Sequence, residues 1–265
     1  MSIVGIRTAF FAATAARVQF DVKKVIAYST CSQLGYMLFA AGRQQYPSSF
    51  FHLFNHAFFK ALLFRAAGSV IHALINEQDA RRTGGLGDLR IFVFMASSIG
   101  TMARAGSTFL AGFYSKDIIR ETSISSYTVN GLVRYWLGTR TAVFTGIYSS
   151  DVRDDRFAEE TTTSRETRST IHSSSALEIG VLGFLAIRSV RSGYLCRDLF
   201  VGLGADFFSN SLAVTEQNGW ASAEFLPVTR KRLPTIRSVR VSFEVDRREE
   251  VAFDFISTRH FRSHK

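Results

Sequence analysis

The segment Phe51-His52-Leu53-Phe54-Asn55-His56-Ala57-Phe58-Phe59-Lys60-Ala61-Leu62-Leu63-Phe64 constrains this chain more than any other. Three titratable side chains recur every four residues inside an otherwise apolar, aromatic run. The spacing predicts a helix with His52, His56 and Lys60 on one face. A helix this apolar belongs in a protein core or a bilayer, where such groups are costly unless hydrated or paired. A row of proton-exchanging groups in those surroundings points to proton traffic. The competing reading is a buried helix whose imidazoles satisfy nearby carbonyls and whose lysine reaches to an interface. A metal site is not indicated, because His-x3-His here has no adjacent glutamate and no evident third ligand.

Composition narrows the class. A chain of 265 residues holds one large domain or two small ones. Its 25 phenylalanines, 3 prolines and 46% hydrophobic content favour a helical or membrane protein. The mean hydropathy of +0.08 is nevertheless low for a polytopic membrane protein, so the average hides two unlike halves. Cys31 and Cys196 form neither a zinc spacing nor a disulfide framework. The net charge of +10 comes from arginines dispersed through apolar text without a nucleic-acid-binding motif, so nucleic acid is not an expected partner. Gly202-Leu203-Gly204 is a lone glycine pair without dinucleotide spacing, and no Cys cluster, flavin motif or P-loop accompanies it.

Candidate spans follow from charge spacing. Val25 to Gly42 is uncharged, about 27 Å long as a helix against a hydrocarbon core of about 30 Å. Bracketed by Lys23, Lys24 and Arg43, it is the clearest candidate to cross a membrane. Ser48 to Leu74 predicts one or two further helices, and Asn76 to Leu86 a loop leaving the membrane. Ile91 to Ala111 is apolar except for Arg104, and Gly131 to Ser150 is a further span interrupted by Arg134 and Arg140. Asp151 to Ser175 is charged and rich in Ser and Thr, which predicts a polar linker with little stable structure. Beyond it come Arg188 and Arg191, then Arg230, Lys231, Arg232, Arg237 and Arg240. At roughly 2.5–3.5 kcal/mol per central arginine, those segments are expected to lie at the membrane surface or against protein, or to be poorly ordered, rather than to cross as two clean helices. The expected fold is all-α: a transmembrane helical region over 1–150, the linker 151–175 and a divergent C-terminal segment 176–265.

Four phrases carry a resemblance. They are Val25 to Met37, the histidine–lysine run, Ala67-Gly68-Ser69-Val70-Ile71-His72-Ala73, and Gly112-Phe113-Tyr114-Ser115-Lys116-Asp117. In this order and spacing they resemble the subunit 5 family of mitochondrial NADH:ubiquinone oxidoreductase, respiratory complex I. Gly193 to Leu212 and Ala223-Glu224-Phe225-Leu226-Pro227 extend the resemblance, which is divergent after about residue 140 and lost from Val241 onward. It implies a multi-pass subunit of the mitochondrial inner membrane that forms part of a proton channel, with Lys60 and Lys116 on the hydrophilic axis and His52 and His56 as intermediate carriers. NADH, FMN, the iron–sulfur clusters and ubiquinone would reside in partner subunits, leaving no cofactor in this chain. The expected partners are the other membrane-arm subunits and the lipid bilayer.

The same resemblance raises departures. In the family a mid-membrane helix break has Pro just after Gly; here Gly106 is followed by Ser107 and Thr108, so a break would rest on glycine and on Ser/Thr bonding alone. Arg65 stands where the family usually carries an apolar residue. The N-terminus, with Arg7 and Arg17 and no acid before Asp21, superficially looks like a transit peptide. Thr8 to Thr14 instead matches family text, so that the chain would begin mid-protein and a separate chain would have to supply the earlier helices. Two other readings stand beside the leading one: a decayed, non-catalytic remnant acting as a peripheral protein, and a cation/proton antiporter subunit.

Overall fold

A computed structural model describes residues 1–82, 90–125, 129–157, 175–202 and 207–208. Among them the chain forms seven α-helices and no β-strand: α1 (Ser2–Arg17), α2 (Val22–Ala41), α3 (Tyr46–Ala73), α4 (Ile91–Ala105), α5 (Ala111–Ser125), α6 (Val129–Phe157) and α7 (Ala176–Val201). The all-α expectation therefore holds for the described residues.

Local chemistry sets several helix ends. Asp21 caps α2 by accepting from the backbone of Lys23 at 2.9 Å, and Pro47 occupies the first turn of α3, where its missing N–H is no loss. Ser175 caps α7 by accepting from Glu178 N at 3.3 Å. Ser48 to Leu74 proves to be one continuous helix, 28 residues from Tyr46 to Ala73.

The missing proline does not abolish the break between α4 and α5. Gly106 adopts φ +87°, and the N–H groups of Gly106 and Ser107 both return to Met102 O, at 3.1 and 3.0 Å. This left-handed glycine cap ends α4 without proline. The chain then doubles back so closely that a Cβ on Gly112 would collide with Ala103 O.

Close backbone approach also joins α1 to α2. A Cβ on Gly5 would meet Phe39 N at 2.5 Å, and one on Gly35 would meet Ala9 N at 2.6 Å. Small residues at such a crossing let helices pack by direct contact, with Ser32 Oγ donating to Ala9 O at 2.9 Å across it. Apolar clusters fill the remaining seams: Leu62, Val70, Val93 and Leu182 between α3, α4 and α7, and Ile6, Phe39 and Ile119 between α1, α2 and α5.

Two expectations require adjustment. Residues 176–201 are not poorly ordered; they form α7, which lies against protein along α3, α4 and α5, one of the expected placements. Of the described helices, α7 is also the one long and apolar enough to cross a membrane, with a mean hydropathy of 1.3 over its best window, whereas Val25–Gly42 was the segment expected to stand out. The physical reason lies in what α2 buries. Ser29, Ser32 and Gln33 face inward on that helix, so its polar residues are structural partners that lower its apolarity. Arg188 is accommodated on α7 by stacking 4.9 Å over the Phe58 ring, and Arg191 is exposed.

The expected linker is also helical at its start, since α6 continues through Phe157. No Gly or Pro interrupts Ile147 to Phe157, so nothing local stops it. Residues 158–174, the basic cluster from Arg230 to Arg240 and the loop positions 83–89 lie outside the described residues.

Candidate functional site

The α3 row forms as its spacing predicts. His52, His56 and Lys60 are all buried on one face, with the two imidazole centroids 6.3 Å apart. Around them the bundle is polar within and apolar without. Phe11, Leu34, Leu38, Phe92, Trp136, Phe184 and Leu195 are among the large apolar side chains that point outward, while the charged row is enclosed.

His52 is held from two other helices. Its Nδ1 lies 2.9 Å from Ser115 Oγ on α5, and its Nε2 lies 3.0 Å from Gln33 Oε1 on α2. Both partners can exchange roles, because a hydroxyl rotates and an amide turns over to present either O or N–H. His52 can therefore take a proton on one ring nitrogen and release it from the other without moving its ring. This imidazole has both nitrogens engaged, which leaves neither free for a metal.

His56 follows one turn later. It sits edge-on to Phe59 at 5.2 Å, and its Nε2 is buried without a hydrogen-bond partner among the described residues. Asn55 beside it ties the row to α7 by accepting from Ser192 Oγ at 2.8 Å. The family-like phrase after Gly193 thus begins where α7 meets the polar row, and a Cβ on Gly193 would lie 2.5 Å from Ala111 Cα at the start of α5.

Lys60 does not reach to an interface. It is 6% exposed and donates to Ile26 O and, at 2.7 Å, to Ser29 Oγ, both on α2. Lys116 is buried more deeply, at 1% exposed. Its Nζ lies 5.2 Å over the Tyr36 ring with no hydrogen-bond partner among the described residues, and its stem passes the α4–α5 break. The neighbouring Asp117 forms an ion pair with Arg120 one turn on.

The four sequence-derived residues thus occupy one polar interior, where His52 touches the residue preceding Lys116. Sequence reasoning missed Gln33, Ser29 and Ser115, which give the row its partners, and Tyr36 under Lys116. Ser115 stands inside the Gly112–Asp117 phrase, and Gln33 is the most polar residue of the Val25–Gly42 run, so both carried a signal. It also left Arg104 without a role. That guanidinium is 1% exposed and bonds Ser149 and Ser29.

Comparison with known proteins gives concordant matches. Residues 1–145 match the family described as NADH:quinone oxidoreductase/Mrp antiporter, transmembrane. The chain is 48% identical over 240 residues to NADH-ubiquinone oxidoreductase chain 5 of Phytophthora infestans, covering 90% of this chain and 36% of that protein. It is 45% identical to the protein of the same name from Acanthamoeba castellanii, with the same coverage, and 45% identical to that from Marchantia polymorpha, over 92% of this chain and 37% of the relative. The chain therefore spans about a third of the length of these relatives. In structure it is similar to a chain of the Mrp complex from Dietzia sp. DQ12-45-1b, with TM-score 0.71 at 19% identity, over 96% of this chain and 27% of that one. At that identity the likeness concerns the fold.

Proposed function

Because the chain belongs to the NADH:quinone oxidoreductase/Mrp antiporter transmembrane family, we propose that it forms part of the proton-translocating channel of a membrane-arm subunit of NADH:ubiquinone oxidoreductase. In this reading Lys60 and Lys116 load and release protons, and His52 and His56 carry them between. The observation that carries it is the enclosed row itself: two lysines and two histidines inside an outwardly apolar bundle, with His52 hydrogen-bonded on both ring nitrogens to groups that can reverse donor and acceptor roles. Each of the four is costly to bury, which favours a functional reason for enclosing them together.

The relatives that match along most of this chain are named for NADH-ubiquinone oxidoreductase, which favours the respiratory assignment over an antiporter. On this assignment the chain lies in the mitochondrial inner membrane among the other membrane-arm subunits. Partner subunits carry NADH oxidation, FMN, the iron–sulfur clusters and ubiquinone, while this chain's residues hold and move protons.

Blue-native separation of mitochondrial membranes, followed by peptide mass spectrometry, tests the assignment. Peptides from residues 113–240 are expected to migrate with NADH:ubiquinone oxidoreductase and to stay in the pellet after carbonate extraction. Peptides found only in the carbonate supernatant would replace this reading with that of a peripheral remnant.

A further inference from the structure

Arg104 is the sole charge between Ile91 and Ala111, it lies in the last turn of α4 before the break, and the proton row as described does not use it. Its Nε and Nη2 donate to Ser149 Oγ on α6 at 3.2 and 3.0 Å, its Nη1 donates to Ser29 Oγ on α2 at 3.2 Å, and its Cζ stacks 4.9 Å over Tyr148. Ser29 Oγ also accepts from Lys60 Nζ at 2.7 Å and donates its own proton to Ile26 O at 2.8 Å. A hydroxyl has one proton and two lone pairs, so this single oxygen is fully committed. A guanidinium and an ammonium thus end on the same atom, and neither has a salt-bridge partner among the described residues.

We propose that Arg104 is a positioning residue for proton exchange at Lys60: a fixed charge on the helix before the break that, through Ser29, opposes a second charge on the lysine. The inference rests on the proton-relay reading of Lys60. Arginine keeps its proton under all physiological conditions, whereas a lysine can give its proton up, so of the two cations sharing Ser29 only Lys60 can respond. Coulomb repulsion between two unit charges this close is appreciable even where effective screening is strong. Because Arg104 also grips α6, a movement of the α4–α5 break that drew it off Ser29 would change the charge felt by Lys60. The titratable and charged groups facing Lys60 are His56 a turn earlier on α3 and Arg104 on α4; Tyr148 on α6 lies under the guanidinium, and Cys31 on α2 is exposed.

The test measures the lysine directly. Membranes bearing the full chain are labelled with acetic anhydride at a series of pH values, and the acetylation rates of Lys60 and of exposed Lys23 are read by peptide mass spectrometry. Reagent access scales the whole rate curve, whereas protonation displaces it along the pH axis. In Arg104→Leu the Lys60 curve is expected to move at least tenfold in proton concentration toward that of Lys23. Arg104→Lys, which keeps a positive charge, should move it less than threefold, and Ser149→Ala, which loosens the guanidinium, by an intermediate amount. Coincident Lys60 curves in the unsubstituted chain and in Arg104→Leu would overturn the proposal. So would equal displacement in Arg104→Leu and Arg104→Lys, the signature of a merely structural role. If Arg104→Leu fails to assemble, the Ser149→Ala curve decides, and its coincidence with the unsubstituted curve counts against the proposal. Labelling needs no proton transport, so the expected displacement in membranes that show no transport would leave the Arg104 coupling intact and sink the relay reading instead.

Discussion

Ser115 Oγ lies 2.9 Å from His52 Nδ1, joining the histidine of α3 to the residue that immediately precedes Lys116 on α5. The same hydroxyl donates to Ala111 O at 3.2 Å, so its oxygen is turned toward the imidazole. This contact links the two lysine-bearing helices across the polar interior. Ser115→Ala is expected to leave assembly intact, because the deleted group is small, and to lower proton translocation by about tenfold, the equivalent of one hydrogen bond to a charged or charging group. Ser115→Thr, which keeps the hydroxyl, should retain most of the rate. Proton uptake by vesicles containing the assembled complex measures both.

Lys60 separates a relay from an anchor. Lys60→Ala removes the amine, and Lys60→Arg keeps a charge that does not leave. Both are expected to impair proton pumping more than assembly, as judged by vesicle acidification beside blue-native abundance. Normal pumping in both variants would return Lys60 to a structural tie between α3 and α2.

The glycines predict stability changes of opposite sign. Gly35→Ala places a methyl group 2.6 Å from the backbone of Ala9, an obstacle that no side-chain rotation relieves. It should destabilise the detergent-solubilised protein by about 1–3 kcal/mol. Gly68→Ala lies inside α3, toward its C-terminal end, with nothing within 4 Å of the new carbon. There the gain in helix propensity, about 1 kcal/mol, should stabilise. Gly106→Ala should cost about 1–2 kcal/mol through its left-handed φ. Denaturant midpoints for the three variants would give this order, and a stabilising Gly35→Ala would contradict the close α1–α2 crossing.

The α3 row was legible because its information is local: a period of four in an apolar run fixes which side chains share a face, whatever packs against them. The break was half legible. Gly106 announced it, but only the backbone shows that the cap closes on Met102 O without proline. The partners were not legible, since Gln33 lies 19 residues from His52, and Ser149 and Ser29 lie 45 and 75 residues from Arg104. No local pattern encodes contacts at those separations. The order of α7 was not legible from its arginines, because a per-residue insertion cost treats each as lipid-facing. Arg188 instead lies on Phe58, while Arg191 is exposed.

The packing of α7 yields the last prediction. α7 has 26 residues, about 39 Å as a helix, which exceeds a hydrocarbon core of about 30 Å. Its outward residues include Leu177, Val181, Phe184, Ile187, Leu195 and Leu199, with the exposed charges Arg191 and Asp198 in its C-terminal half. Ser189, Ser192 and Gly193 face inward against α3 and α5, as small residues do where helices pack within a bilayer. The helix is therefore expected to cross the membrane, with Arg188 kept against Phe58 and the exposed Arg191 reaching along the helix toward the headgroup layer. Glycosylation reporters inserted immediately before Ser175 and immediately after Gly202 should fall on opposite faces. Phe58→Ala should reduce the crossing fraction by exposing Arg188, and a simultaneous Arg188→Leu should restore it. Reporters on the same face in the unsubstituted chain would place α7 along the surface and return the arginine cost to first place.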